Sequence, residues 1–203
     1  MHCNDISDIS ILKKVNFEKL EILNLGRNRI SDISILEKVN FKELKKLYLN
    51  SNEISYISIF EKVKFEKLEI LYLGNNKISD IRVLGKVNFK ELKELYLNNN
   101  GISDLNILQK VNFAKLEKLD LSMNKIADTN ISEKTKINLN SLTFLNLNDN
   151  YISDIKVFTR VKYEKLKRVN LDNNFINKAD KNINLPYLEF NKIDFYNESC
   201  NIF

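Results

Sequence analysis

Three tyrosines spaced 24 residues apart, Tyr48, Tyr72 and Tyr96, are the side chains of this chain best placed to do chemistry. That chemistry would be recognition, because tyrosine combines a large apolar ring with a polar tip and has few rotatable bonds to order on binding. Each one stands between two leucines in an L-Y-L segment. Since residues two apart lie on one face of a strand, the tyrosines should share the face opposite the leucines.

Patterns typical of catalysis and metal binding do not occur in the sequence. His2 is the only histidine, and the two cysteines, Cys3 and Cys200, lie at opposite ends of the chain, so no His/Cys cluster has the spacing of a metal site. No nucleophile stands near a base in a recognisable arrangement, and there is no phosphate-binding loop or dinucleotide fingerprint. We therefore predict that the protein is not an enzyme and needs no cofactor or metal.

The elements that position the tyrosines come from a repeat. The motif L-x-x-L-x-L-x-x-N-x-I occurs seven times, once with valine in place of the second leucine. A fixed short period predicts a solenoid, because one unit cannot bury its apolar side without stacking on the next. The spacing is 24 residues except for one step of 26. The copies begin at Leu20, Leu44, Leu68, Leu92, Leu116, Leu142 and Leu166.

Other repeated positions predict how the turns pack. The motif asparagine, Asn28 to Asn174, should be buried and bond the backbone of neighbouring turns. An aromatic column should form a stack of rings in the core. Ser34 with Glu37, and Ser58 with Glu61, have the spacing of a capping box, which predicts short helical turns. The aromatic column contains Phe17, Phe41, Phe65, Phe89 and Phe113, and continues as Leu139 and Tyr163.

With its leucine motif followed by I-S-D-I, the chain resembles leucine-rich repeat proteins, most of all the subclass shared by phosphatase-regulatory repeat proteins and bacterial internalins. The resemblance runs from Asn4 to about Lys178. It implies an α/β fold, a right-handed solenoid (horseshoe) with a parallel concave β-sheet and short helical or 3-10 convex segments. It also implies a scaffold that binds a protein with its concave face, and the phosphatase-regulatory branch implies a cytosolic regulator of an enzyme such as a phosphatase.

The chain divides into two parts by this pattern. Residues 1–178 are predicted to be leucine-rich repeats, the first of them partial, because Met1 to Asn4 aligns with the end of a strand. Residues 179–203 should form a degenerate last repeat and a C-terminal cap, with a strand within Leu185 to Phe190. Because the first repeat is uncapped, two copies could associate end to end. Alternatively, the sequence could be a fragment of a larger receptor or enzyme.

The predicted partner-binding surface consists of the strand positions that alternate with the leucines. A neighbouring column of small or polar residues, Gly26 to Asp172, should leave the groove open. The alternative is that tyrosine is only a good strand residue that stacks on its neighbours. The predicted binding residues are Ile22, Asn24, Lys46, Tyr48, Ile70, Tyr72, Glu94, Tyr96, Lys118, Asp120, Phe144, Asn146 and Arg168.

Charge and hydropathy favour a protein partner. A net charge of +5 is mild for 203 residues, and the column Glu21, Lys45, Glu69, Lys93, Glu117 alternates in sign. Alternation predicts ion pairs between adjacent strands and argues against nucleic acid, for which one sign should dominate. No apolar run reaches the length of a membrane span, so we expect no membrane partner. Two cysteines favour a reducing, cytoplasmic location. A secreted or surface module of a microbe is the alternative, if a signal precedes the sequence.

Overall fold

The computed structural model describes residues 4–127, 140–153, 165–176 and 188–189. In this part of the chain, eight short strands form a single sheet in sequence order, and each pairs with the next in parallel. The predicted solenoid with a parallel sheet is therefore confirmed. The strands are β1 Ile22–Asn24, β2 Lys46–Tyr48, β3 Ile70–Tyr72, β4 Glu94–Tyr96, β5 Lys118–Asp120, β6 Phe144–Asn146, β7 Arg168–Asn170 and β8 Leu188–Glu189.

The last strand, β8, lies within the predicted degenerate repeat. Its two residues pair with Val169 and Asn170 of β7. The rest of the predicted cap, residues 179–187 and 190–203, lies outside the described residues. The division of the chain at residue 178 therefore stays a prediction.

Strand register follows the repeat, because equivalent positions of successive copies pair with one another. The central leucine of β1 to β6, and Val169 in β7, is buried, whereas the residues beside it are half-buried or exposed. This alternation turns one face of the sheet toward the leucine core and the other toward solvent, as the L-x-L segments predict.

Five short 3-10 helices lie on the opposite side of the described solenoid. Ser10–Lys14 precedes β1, and the other four connect successive strands from β1 to β5: Ser34–Glu37, Ser58–Glu61, Arg82–Gly85 and Asn106–Gln109. The predicted capping boxes are wrong. Ser34 and Ser58 are the first residues of their helices, and the N-cap residues before them are isoleucines without a side-chain capping bond. Instead, Asp32 Oδ1 accepts a hydrogen bond from the Ser34 backbone N–H at 2.7 Å. Aspartate readily closes such a turn two residues ahead of itself.

The aromatic column lies in the core in four turns, as predicted. Phe41, Phe65, Phe89 and Phe113 are each at most 2% exposed. Phe17, by contrast, is 46% exposed, because it lies in the first turn, where the described structure packs a neighbouring turn on one side only. Leu139 and Tyr163, the remaining members of the column, lie outside the described residues.

The asparagine column is structural, as predicted. Asn52 Oδ1 accepts from the Ile30 N–H of the preceding turn at 2.9 Å, while Nδ2 donates to the carbonyls of Leu25 and Leu49 at 3.0 and 3.1 Å. Equivalent bonds recur at Asn76, Asn100, Asn124, Asn150 and Asn174. Each amide thus satisfies backbone groups that two adjacent turns would otherwise bury unpaired.

A left-handed residue follows every strand from β1 to β7, one position before the asparagine. All seven have φ between 51° and 56°, and none is glycine. Such a conformation costs roughly 1–2 kcal/mol for an ordinary L-residue and less for Asn or Asp. The seven residues are Arg27, Ser51, Asn75, Asn99, Met123, Asp149 and Asn173.

Candidate functional site

Every residue of the predicted partner-binding surface is described, and the strand register brings them all onto the concave face in two adjacent rows. Their role in binding stays a prediction. The central row contains Asn24, Tyr48, Tyr72, Tyr96, Asp120, Asn146 and Asn170. The flanking row contains Ile22, Lys46, Ile70, Glu94, Lys118, Phe144 and Arg168.

Tyr48, Tyr72 and Tyr96 are in contact and form what we call the tyrosine ladder. The ring centroids of Tyr48 and Tyr72 are 6.4 Å apart, and those of Tyr72 and Tyr96 are 4.7 Å apart, with interplanar angles of 56° and 38°. All three side chains are half-buried. Because each ring rests on its neighbour, little side-chain freedom remains to be lost when a ligand binds.

The C-terminal end of the ladder is held by hydrogen bonds. Tyr96 Oη donates to Glu94 Oε2 at 2.7 Å, and Lys118 Nζ lies 3.1 Å from Glu94 Oε1. The carboxylate of Glu94 therefore joins the ladder to the flanking row and is neutralised by the next strand. The ring of Tyr96 is fixed at both its face and its tip.

Charges around the ladder cancel in pairs. Lys45 lies 2.9 Å from Glu21, and Lys93 lies 2.8 Å from Glu69, so the predicted ion pairs between adjacent strands are confirmed at these positions. The hydrogen bond from Lys93 holds the pKa of Glu69 below its usual value. Such exposed pairs contribute little to stability, because water and salt screen them. Their main effect is to leave the face beside the ladder without a dominant sign.

Asp120 continues the central row one strand beyond Tyr96. Burial raises the pKa of its carboxyl, although the hydrogen bonds from Ser122 act in the opposite direction. Asp120 Oδ1 accepts from the Ser122 backbone N–H at 2.9 Å and from Ser122 Oγ at 2.6 Å. The ladder therefore ends at a half-buried carboxylate.

The groove beside the ladder is not open, contrary to the prediction from its small side chains. A Cβ added at Gly74 would meet the amide of Asn98 and the ring of Tyr72, and one added at Gly26 would meet the amide of Asn50. The larger residues of this column therefore lie over the glycines of the preceding turn. The apolar strip formed by the ladder is therefore bounded on this side by amide groups.

Sequence reasoning missed several exposed side chains elsewhere. Tyr151 and Phe175 stack with ring centroids 5.8 Å apart and are 51% and 68% exposed. Tyr56 is 82% exposed and stands at a sequence position where six other copies of the repeat have aspartate. The signal that could have found them is a break in an otherwise polar column. On the concave face, the guanidinium of Arg168 lies 5.7 Å from the centroid of Phe144.

Groups of three or more His, Cys, Asp or Glu side chains that could hold a metal are not found among the described residues. Over the same residues, no helix has the length and apolar character needed to cross a membrane.

Comparison with known families gives two matches. "Leucine Rich repeats (2 copies)" matches residues 42–86 and 90–136, and "Leucine Rich repeat" matches residues 18–35. Together these cover more than half of the chain. No protein of curated function matches the sequence.

Solved structures with the same fold include two internalins from Listeria monocytogenes. Internalin inlF is 31% identical with a TM-score of 0.69, covering 87% of this chain. Internalin C2 is 24% identical with a TM-score of 0.69, covering 93% of this chain and 78% of its own. The present chain spans about half of inlF, 48% of its length.

A plant protein is also similar. The leucine-rich repeat ectodomain of the receptor kinase GASSHO1/SCHENGEN3 from Arabidopsis thaliana is 25% identical with a TM-score of 0.61. The match covers 85% of this chain and 21% of the receptor chain. That ectodomain was solved in complex with CASPARIAN STRIP INTEGRITY FACTOR 2.

Proposed function

The chain belongs to the leucine-rich repeat family, and from this we propose that it is a non-catalytic scaffold that binds a protein partner through its concave face. The fold is typical of protein-binding scaffolds, and solved relatives include a receptor ectodomain bound to a partner. Regulation of an enzyme such as a phosphatase, and a cytoplasmic location, are finer proposals supported only by the sequence resemblance and the cysteine content.

The observation that carries the proposal is the tyrosine ladder itself. Tyr48, Tyr72 and Tyr96 occupy a row that is otherwise Asn or Asp, and they turn large ring surface toward the concave side rather than the core. Their mutual packing accounts for part of their burial, but it leaves the outer edges accessible. Aromatic residues in a pre-ordered, charge-neutral strip are typical of binding hot spots.

The proposal can be tested by site-specific photo-cross-linking. A photoreactive phenylalanine analogue placed at Tyr72 should capture a distinct protein from the native lysate, and the Tyr48→Ala, Tyr72→Ala, Tyr96→Ala variant should lose that protein in a pull-down. The control is Tyr56, an exposed tyrosine on another side of the solenoid, where the same probe should not capture the protein. Circular dichroism checks that the triple variant is folded. Equal capture from Tyr72 and Tyr56 would contradict a concave site.

A second candidate function is a microbial surface or secreted recognition module, which the 31% identity to internalin inlF favours. The two candidates differ in location rather than in binding face. Fractionation of the source organism, with an antibody against the repeats, should recover the protein in the cytoplasm for the first candidate. Recovery in the medium or on the cell surface would support the second.

Self-association through the first turn is a further proposal about partners. Ile11, Phe17 and Ile22 are each 46–52% exposed in the first turn of the described structure. If this end joins two copies, Phe17→Glu should lower the sedimentation coefficient of the protein at high concentration. If the wild type and the Phe17→Glu variant both sedimented as monomers, self-association through this end would be excluded.

A further inference from the structure

We propose that the tyrosine ladder binds a proline-rich segment in the polyproline II conformation, lying across the strands with a basic residue directed at Asp120. This inference deepens the proposed function and rests on it, because it specifies the partner chemistry of the same concave face. It follows from the spacing, width and charge of the ladder.

The spacing of the ladder matches the polyproline II repeat. Adjacent strands are about 4.8 Å apart, so Tyr48 and Tyr96 stand on strands separated by about 9.6 Å. One turn of polyproline II contains three residues and advances about 9.3 Å. The measured ring distances place the outer two centroids within about 11 Å of each other. Two prolines three residues apart can therefore lie on Tyr48 and Tyr96, with the residues between them over Tyr72.

The width of the strip excludes broader ligands. On one side the amides of Asn50 and Asn98 close the groove, and on the other the Glu94–Lys118 ion pair borders Tyr96. An α-helix is roughly 10–12 Å across with its side chains and needs a wide apolar groove. Addition of a strand is also excluded here, since β2, β3 and β4 are paired on both edges.

The chemistry of the ladder also suits this conformation. A polyproline II segment has no internal hydrogen bonds and is already extended, so little entropy is lost on binding. Proline has no N–H group, so no backbone donor is left unpaired when its ring lies on an aromatic surface. Aromatic-lined grooves recognise proline-rich segments for these reasons. Ile70, half-buried beside Tyr72 in the flanking row, extends the apolar contact at the centre.

The charges at the two ends of the ladder indicate where the basic residue of the ligand would lie. Lys46 lies in the strand of Tyr48, at the opposite end of the ladder from Asp120. Asn24 and Asn170, which occupy the same row, accept the equivalent backbone N–H bond through Oδ1. An asparagine at position 120 could therefore hold the turn equally well. Burial raises the pKa of the Asp120 carboxyl, so its charge is retained at a cost in stability that a cation from the partner would offset.

Distances along the ligand define a probe. Asp120 lies one strand, or about 4.8 Å, beyond Tyr96. In polyproline II, a residue two positions after the second proline lies about 6.2 Å further along the axis, within reach of a long side chain. The probe is therefore a fluorescent peptide with the pattern P-x-x-P-x-R and neutral residues at each x. Its controls replace both prolines by alanine, or the arginine by glutamine.

Fluorescence anisotropy on the full chain measures the binding. We expect the peptide to bind, and the alanine control and the Tyr48→Ala, Tyr96→Ala variant each to weaken binding at least tenfold. Tyr56→Ala should leave it unchanged. Asp120→Asn should weaken binding of the arginine peptide about two- to fivefold, which is the effect expected from losing a partly exposed ion pair. The same variant should bind the glutamine peptide as well as the wild type does.

The outcomes separate this inference from the proposed function. Equal affinity for the proline and alanine peptides, or no binding of the proline peptide at millimolar concentration, would overturn the inference. If photo-cross-linking at Tyr72 still captured a protein in that case, the concave scaffold would stand with a different ligand chemistry. If Asp120→Asn weakened both peptides equally, the carboxylate would not select a basic residue, and that part of the inference would be wrong.

Discussion

Replacing Asn124 by alanine should destabilise the solenoid, because this amide bonds backbone groups of two turns. Its Oδ1 accepts from the Ile102 N–H at 3.0 Å, and its Nδ2 lies 3.0 Å from the carbonyls of Leu97 and Leu121. Asn124 is 5% exposed and Ile102 is fully buried. Water therefore has no access to the N–H group that the substitution leaves without its partner.

The magnitude follows from these contacts. A buried N–H without an acceptor costs about 1–3 kcal/mol, and each of the two lost donor bonds contributes about 0.5–1.5 kcal/mol net. We expect Asn124→Ala to lower the free energy of unfolding by about 2–6 kcal/mol. Asn124→Asp should cost at least as much although it has the same shape. The aspartate keeps an acceptor for the Ile102 N–H, but its second carboxylate oxygen faces carbonyl oxygens, which repel it.

Urea denaturation followed by circular dichroism measures the loss, and hydrogen exchange at the Ile102 amide locates it. Exchange at Ile102 should accelerate more than exchange at amides in distant turns. The control is Asn88→Ala, an exposed asparagine in a convex connector, which should change stability by less than about 0.5 kcal/mol. A loss below that value for Asn124→Ala, or unchanged protection of Ile102, would refute the reasoning.

Four further predictions concern single positions. Met123 holds φ at 53°, so Met123→Asn should raise stability by about 0.5–1 kcal/mol in urea denaturation, since asparagine tolerates this conformation. Gly74→Ala should lower stability by about 1 kcal/mol because its Cβ meets neighbouring side chains, whereas Gly101→Ala, whose nearest atoms are 3.5 Å away or more, should not. The raised pKa of Asp120 means that its ionisation costs stability once the pH exceeds the unfolded pKa. Asp120→Asn should therefore stabilise the protein at pH 7, with the gain vanishing near pH 3 in a pH series of thermal melts. Asp80, whose pKa is lowered to about 2 by the Arg82 guanidinium, should behave oppositely, so Asp80→Asn should lose stability at pH 7 but not near pH 2.

The sheet and its register could be predicted from the sequence because the repeat constrains both. Once L-x-L segments recur at a fixed spacing, a one-residue slip would turn every leucine to solvent, so only one register buries them. The neighbours of Tyr72 in the central row could therefore be named before the structure was known. The buried Asn124 could be named for the same reason.

The finer features could not be predicted, because they depend on backbone geometry and rotamers. The capping-box prediction placed Ser34 at the N-cap of a short helical turn, whereas Ser34 is the first residue of the 3-10 helix and follows an aspartate turn. The alternation of residues along a strand predicts on which face of the sheet a side chain lies. It does not predict the rotamer, and so not the direction in which the side chain points on that face. For this reason the closure over Gly74 by the Asn98 amide was missed. The left-handed position was missed as well, since Arg27 and Met123 carry no sequence signal for positive φ.

A stacked repeat separates structural from functional constraint, because every turn gives a given position nearly the same surroundings. Columns that stay constant, such as the buried asparagines, are explained by the backbone groups they bond. A column that varies under constant surroundings is not fixed by the fold, and the central concave row varies from asparagine to tyrosine to aspartate. Where the variation also costs stability, as with the half-buried carboxylate of Asp120, whose pKa is raised, folding favours asparagine. The combination of Asp120 with the tyrosine ladder is therefore better explained by what the concave face contacts than by how it folds.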